Sequence, residues 1–385
     1  MTQVSIAPCA DYSETEVSRA LDEALAPFGG LDWVSPGMRV AIKANLVIFF
    51  NPARAATTHP ALICELCRRL AERGAEVIVG DSPGGLYTPA FVNRVYAATG
   101  MREVEKYGGR LNSDFRQATA EYPEAKAAKS FIYTSYLDRA DAIINFCKLK
   151  THGMMGMSAA VKNMFGVVPG TLKPEYHCRF PNHSAFADML VDLNEYFAKK
   201  TRLCICDAVV AMEGNGPTAG SPRKIGAIIA SPSPYYLDLV AAGIIGLTKK
   251  EIPTLEAAYR RGLAPASADE LMVLGNYKKY KLADFRHISA PRGIEKFGGR
   301  VLGRIIGRMF RSRPVPDRSE CTGCGVCAKT CPLGVIDIQN GLAHIDRKSC
   351  IRCFCCQEFC PTGAMKVQRA LTARLLIKSA PAKKS

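Results

Sequence analysis

Long apolar runs are missing from this 385-residue sequence. The longest, residues 237–247, is about half of the roughly 20 residues that a bilayer-crossing helix needs, and it contains Asp238. No transmembrane segment is therefore expected. Residues 1–14 have no basic start, no apolar stretch of signal-peptide length and no twin arginine, so the expected location is cytoplasmic. Acidic residues are in deficit: 35 Asp and Glu stand against 51 Lys and Arg, a formal net charge of +16. That balance suits a nucleic-acid binder, but no aromatic side chains alternate with the basic ones to form a stacking platform, and no nucleic-acid partner is expected. The glycine-rich turn Gly80, Asp81, Ser82, Pro83, Gly84, Gly85 lacks both the G-x-G-x-x-G spacing and the G-K-[ST] ending. Neither a dinucleotide nor a nucleoside triphosphate follows from it.

Cysteine is abundant, with 16 in the chain. Eight fall into two runs of the form C-x2-C-x2-C-x3-C-P: Cys321, Cys324, Cys327, Cys331 and then, 29 positions on, Cys350, Cys353, Cys356, Cys360. This is the spacing of bacterial two-cluster ferredoxins, in which the fourth cysteine of each run serves the other run's [4Fe-4S] cluster. The rule assigns Cys321, Cys324, Cys327 and Cys360 to one cluster and Cys350, Cys353, Cys356 and Cys331 to the other. Three thiolates two residues apart wrap one corner of a cubane within a tight turn, and the fourth ligand has to come from a distance. Single C-x2-C pairs also serve zinc, but a doubled run ending each time in Cys-Pro points to clusters. Cys355 falls outside the pattern and reads as a small filler. Cys9, Cys64, Cys67, Cys147, Cys178, Cys204 and Cys206 are scattered through apolar segments, as core cysteines are in a reducing compartment. From residue 297 to 385 there are 16 Lys or Arg against 5 Asp or Glu, so +11 of the +16 lies around the cluster runs. Part of it balances cluster charge, and the rest suits an acidic redox partner or an anionic surface.

The first 290 residues alternate strand and helix patterns, which implies an α/β domain: a mostly parallel sheet with helices on both faces. The expected strands are 4–7, 39–50, 75–79, 142–146, 202–208 and 225–230, with helices at 14–28 and 60–73. Residues 86–130 read as a polar helical insertion. Residues 291–316 form a basic linker in which 297–311 has the spacing of an amphipathic helix, suited to docking on the protein or to peripheral contact with a membrane. A small α+β ferredoxin-like two-cluster domain, 317–370, and a basic tail, 371–385, complete the chain.

The segments KANL (43–46), GDSPGG (80–85), KLKTH (148–152), VKNMFG (161–166) and MEGNGP (212–217) together resemble domain of unknown function family 362, whose members often carry a two-cluster ferredoxin module at the C-terminal end. The resemblance implies an iron-sulfur protein with an α/β domain and names no reaction. In open α/β sheets ligands sit beyond the carboxyl ends of the strands. Loops at those ends are expected to bring together Lys43, Asp81, Lys148, Lys150 and His152 as the catalytic group, with the lysines holding a carboxylate or phosphate and His152 giving a proton. Asn45, Gly84, Gly85, Lys162, Asn163, Asp207 and Glu213 are the expected binding residues around it. His59 reads as the organiser of a helix start, and His177 and His183 as lining a lid.

These features favour an iron-sulfur oxidoreductase that passes low-potential electrons to an anionic small molecule, supplied by a redox partner protein. A flavin is an optional intermediary that would turn single electrons into pairs, although no flavin motif is visible. The rival is an electron-transfer adaptor that docks a partner enzyme and has no reaction of its own. Acid-base catalysis with clusters that are only structural or regulatory is a third reading.

Overall fold

The computed structural model describes residues 3–287 and 312–368. The expected linker helix at 297–311 and the tail at 371–385 lie outside the described residues. Strands and helices alternate from the start: β1 (Val4–Pro8), α1 (Glu14–Leu25), β2 (Arg39–Lys43), α2 (Pro60–Glu72), β3 (Glu76–Gly80), α3 (Pro89–Ala98), β4 (Gly109–Leu111). A separate hairpin, β5 (Gln117–Glu121) and β6 (Ser130–Thr134), precedes the long central β7 (Ala142–His152) and its short partner β8 (Gly156–Ser158). Then come α4 (Ala160–Asn163), α5 (Lys173–Arg179), α6 (His183–Phe197), the long hairpin β9 (Thr201–Asn215) and β10 (Ala219–Ser231), α7 (Pro234–Ile244), α8 (Pro253–Arg260) and β11 (Val273–Leu274).

The main sheet runs β11-β1-β10-β9-β7-β2-β3-β4, with β8 paired to the end of β7. β4, β3, β2, β7 and β9 are mutually parallel, while β10 is antiparallel to both β9 and β1. It is a mostly parallel mixed sheet, and the carboxyl ends of β2, β3 and β7 share one edge. One face is covered by α1, α2 and α3 through Leu21, Leu66 and Val92, and the other by α6, α7 and α8 through Leu190, Val240 and Leu255. All eleven residues of β7 are buried, as a strand with helices on both sides requires. Cys9, Cys64, Cys67, Cys147, Cys204 and Cys206 are buried and Cys178 is half-buried.

Four expectations change. The apolar run 39–50 is a strand only to Lys43. Ile48 and Phe50 turn away to pack with Ala55, Ala56 and Met212 in a small cluster of their own, and the Leu46 amide donates to the Asp81 carboxylate at 2.7 Å. KLKTH lies within β7, not in a loop after it, and MEGNGP lies at the β9–β10 hairpin turn. Residues 86–130 are helical only in α3 and in a 3-10 segment, Met101–Tyr107; they also supply the edge strand β4 and the strand β5.

The cysteine runs fold into a small α+β unit: β12 (Arg313–Pro316), α9 (Val326–Lys329), β13 (Ile336–Gln339), β14 (Leu342–Ile345), α10 (Cys355–Glu358) and β15 (Met365–Gln368). β12 pairs antiparallel with β15, so residues 313–316, drawn from sequence as linker, belong to this unit. The internal repeat extends to backbone conformation. Gly323 (φ 64) and Gly325 (φ 74) correspond to Arg352 (φ 61) and Phe354 (φ 62). A left-handed turn that glycine adopts freely costs an L-residue on the order of 1 kcal/mol. Phe354 offsets it by burying its ring in the core of the α/β domain.

Candidate functional site

The eight run cysteines ring two cavities. One is lined by Cys321, Cys324, Cys327 and Cys360, the other by Cys331, Cys350, Cys353 and Cys356 together with Cys355. The exchange of fourth cysteines between runs is thus present in the fold. Apolar side chains close each cavity, Ile338 and Met365 in the first, Val335 and Ile336 in the second. A set of four thiols in an apolar pocket fits a [4Fe-4S] cluster. Among the described residues no three His, Cys, Asp or Glu side chains converge tightly enough for a single metal ion.

The helix between the cluster cysteines, α10, is the junction of the two units. The Gln357 side-chain amide donates to the carbonyls of Asn215 (2.9 Å) and Gly216 (3.2 Å), and the Thr218 hydroxyl donates to the Gln357 carbonyl at 2.9 Å. Phe359 packs against Gly84, where a Cβ would stand 3.3 Å from the Val47 carbonyl and 3.4 Å from the Phe359 ring, so the glycine permits the approach. Glu358 points into the α/β domain and meets His152 at 2.8 Å.

There a polar cavity opens at the carboxyl edge of the sheet. Asn45, Asp81, Gly84, Lys150, His152, Lys162 and Asn163 line it, and so do Lys173, Phe165 and Glu358, which sequence reasoning did not single out. Lys173 lies on α5 and Glu358 between cluster cysteines. Neither belongs to a strand-end loop, which is why that rule passes over them.

The amides Asn45, Asn163 and Asn145 form a chain. The Asn163 oxygen accepts from Asn45 (2.9 Å) and from the Lys43 ammonium (3.3 Å), and its nitrogen donates to Asn145 (2.7 Å). Lys43 is fully buried and pairs with Asp81 at 2.8 Å. Gly166 roofs this pair so closely that a Cβ there would overlap both charged groups. Lys150 donates to the Asn45 oxygen (2.6 Å) and the Ala56 carbonyl (2.7 Å), both uncharged, and burial pushes its ammonium down to about 7. Lys173 donates to the Ser82 carbonyl, and burial pushes it down to about 8.

His152 does not stand free to give a proton to a ligand. Its Nδ1 accepts from the backbone amides of Met154 (3.1 Å) and Met155 (3.2 Å), which leaves the proton on Nε2, donated to Glu358. Burial holds the imidazole below its ordinary value, partly offset by Glu358. Burial also pushes the Glu358 carboxyl up, but Lys162 and the His152 bond outweigh it and keep it well below the usual range.

Five expected site residues do not line the cavity: Lys43, expected to hold the anion, is fully buried in its pair with Asp81, and four others lie elsewhere. Lys148 pairs with Asp207 at 2.7 Å and donates to Tyr12 at 2.9 Å, while Asp207 also accepts the His59 amide at 3.0 Å, just ahead of α2. His59 caps that helix, its Nδ1 accepting from Ala61 at 3.3 Å. Glu213 pairs with Arg286 at 2.8 Å on the hairpin. Gly85 packs against the Phe91 ring rather than facing the cavity. His177 is buried, its ring stacked on Phe186 at 4.3 Å.

Among the described residues no helix is long and apolar enough to cross a membrane. The chain is 33% identical over 273 residues to a thylakoid-associated protein of Synechocystis, covering 69% of this chain and 81% of that one. Two solved structures resemble it more distantly. The lactate racemase apoprotein of Thermoanaerobacterium thermosaccharolyticum matches with 13% identity and a TM-score of 0.39 over 64% of this chain. A Thermotoga maritima protein matches with 15% identity and a TM-score of 0.32 over 55% of it. The chain spans 58% and 53% of their lengths. Residues 313–361 match the 4Fe-4S dicluster domain. Residues 40–243 match the model of the domain of unknown function DUF362, and with the Synechocystis relative this shows that the chain belongs to the DUF362 family and carries a 4Fe-4S dicluster domain after it.

Proposed function

We propose that the protein is an iron-sulfur oxidoreductase in which two [4Fe-4S] clusters, one on Cys321, Cys324, Cys327 and Cys360 and one on Cys350, Cys353, Cys356 and Cys331, serve the reduction of an anionic small molecule in the polar cavity. The observation that carries this reading is the position of Glu358: it sits between Cys356 and Cys360 in sequence and walls the lysine-lined cavity in space. When bound, the clusters supply electrons one at a time at low potential. A two-electron reduction consumes two electrons, one from each cluster, and two protons, one delivered by Lys150 and one from water, which also reprotonates Lys150; a low-potential one-electron carrier protein is the class of partner that replaces the electrons.

The chain's own residues do the rest. Lys150 and Lys162 hold the anion, and Phe165 keeps that part of the cavity dry. Lys150, poised near 7, is the proton donor of the site. His152 is a positioning residue that holds Glu358 in place. The cavity, about 50 Å³, is lined by lysines that suit a small anion, and the reading does without a flavin. We place the protein in the cytoplasm. The thylakoid association of its relative and the basic 297–311 segment support contact with a membrane surface.

The test is anaerobic. Cluster-loaded protein is reduced, inspected for any organic chromophore, mixed with candidate carboxylates and phosphorylated compounds, and followed by the return of cluster absorbance. The reading expects reoxidation with a specific anion, slowed at least tenfold in Lys150→Met at unchanged iron content. No reoxidation by any anion, with fast transfer to small redox proteins, would overturn it in favour of the adaptor. The exposure of Cys324, a cluster cysteine, favours that second reading.

A further inference from the structure

The polar cavity carries more positive charge than the protein neutralises. Asp81 is committed to Lys43. That leaves Lys150, Lys162 and Lys173 facing Glu358 alone, an excess of two charges (3 − 1) when all three are protonated.

Lys162 shows the imbalance most directly. Its side chain is on a residue only 8% exposed, yet its ammonium has no hydrogen bond and no ion-pair partner at contact distance among the described residues. It lies instead over ring faces, 4.5 Å from the centroid of Phe165 and 5.8 Å from that of Phe186. Glu358 acts on it through space, without a contact ion pair; a buried cation with no direct partner is costly to hold, and ring faces return only part of that cost. A second group beside the same rings is also unpartnered. His177, 1% exposed, has no hydrogen bond on either ring nitrogen, stacks on Phe186 at 4.3 Å and meets Phe165 edge-on at 5.6 Å. Buried polar groups are nearly always satisfied. The orphaned ammonium lines the cavity and marks where a polar atom of a ligand belongs; the orphaned imidazole, outside the lining, shares its two rings.

We infer that the ligand of this cavity is a small dianion of phosphate or dicarboxylate type. One negative charge lies against Lys162, and the other lies between Lys150 and Lys173. Lys150 contributes here because its two hydrogen bonds go to neutral oxygens and leave its third N–H and its whole charge available. The inference rests on reading the cavity as an anion site and adds the charge of the occupant.

Calorimetric titration of the anaerobic, cluster-loaded protein at pH 6 with sulfate, succinate and acetate tests it. Dianions are expected to bind at least tenfold more tightly than acetate. Sulfate against succinate tells whether the two charges sit on one centre or two. Lys162→Met is expected to lose tenfold or more in dianion affinity and less in acetate affinity, with iron content and circular dichroism unchanged, and Lys162→Arg to stay within a few-fold of wild type. Equal affinity for acetate and dianions would overturn the dianion assignment while leaving the anion site standing. Failure of every anion to bind would remove both. Tight dianion binding without reoxidation of reduced clusters by any dianion would support the ligand class and remove the redox role.

Discussion

Anion affinity should fall steeply as pH rises through neutrality, because two of the three lysines proposed to hold the ligand, Lys150 and Lys173, have been brought down to titrate there. Burial lowers Lys150 from 10.5 to about 7 and Lys173 to about 8. Each lowered group is charged below its own value and neutral above it, so the binding form is the low-pH form. For sulfate, which stays a dianion throughout, Lys150 is about nine-tenths protonated at pH 6 and one-tenth at pH 8, a tenfold loss. Lys173 falls over the same interval from nearly full to about half protonation, another twofold. Together the dissociation constant should rise about 20-fold between pH 6 and pH 8. The other charges acting on Lys150 are Glu358, Lys162, Asp81 and Lys148. Of these, Glu358 is held well below the range, so its carboxylate stays ionised across the interval. Calorimetry on wild type and Lys150→Arg decides the matter, since arginine keeps its charge and should leave only the twofold fall due to Lys173. An affinity constant to within a factor of two in wild type, or an equal fall in both proteins, would refute the assignment of Lys150.

Gly166→Ala should force apart the buried Lys43–Asp81 pair, costing about 3 kcal/mol, or roughly 6 °C in melting temperature by circular dichroism; a shift under about 1 °C would show that the roof is not tight. Phe354→Ala removes the ring that anchors the dicluster domain in the α/β core and should cost about 3–5 kcal/mol in anaerobic unfolding, a loss under about 1 kcal/mol arguing against a rigid junction. Cys355→Ser should keep about eight iron atoms per chain whereas Cys356→Ser should lose about four, and equal iron contents would refute the division between ligand and filler.

The cluster cysteines are legible because a turn that wraps a cubane corner imposes its own spacing, independent of the rest of the fold. The strand order at the site edge was legible only in outline. The run 39–50 has the composition of one long strand, and what ends it at Lys43 is the Asp81 carboxylate bonded to the Leu46 amide, a partner 35 residues away. Lys148 and Lys150 show the limit most clearly. They are two residues apart on one face of β7, and nothing local separates an ion-paired lysine from one left to meet a ligand.

By itself the sequence determined that the chain binds two clusters, that its larger part is α/β and that Lys150, His152, Lys162 and Asn163 lie near one site. The tertiary structure decided the rest. It neutralised Lys148 with Asp207 and left Lys150 facing neutral oxygens, brought in Lys173 from α5 and Glu358 from between the cluster cysteines, and locked His152 between two backbone amides and a carboxylate. The physical reason is that charge state and proton availability depend on which distant groups share a buried volume, and that proximity is set by packing, not by spacing along the chain.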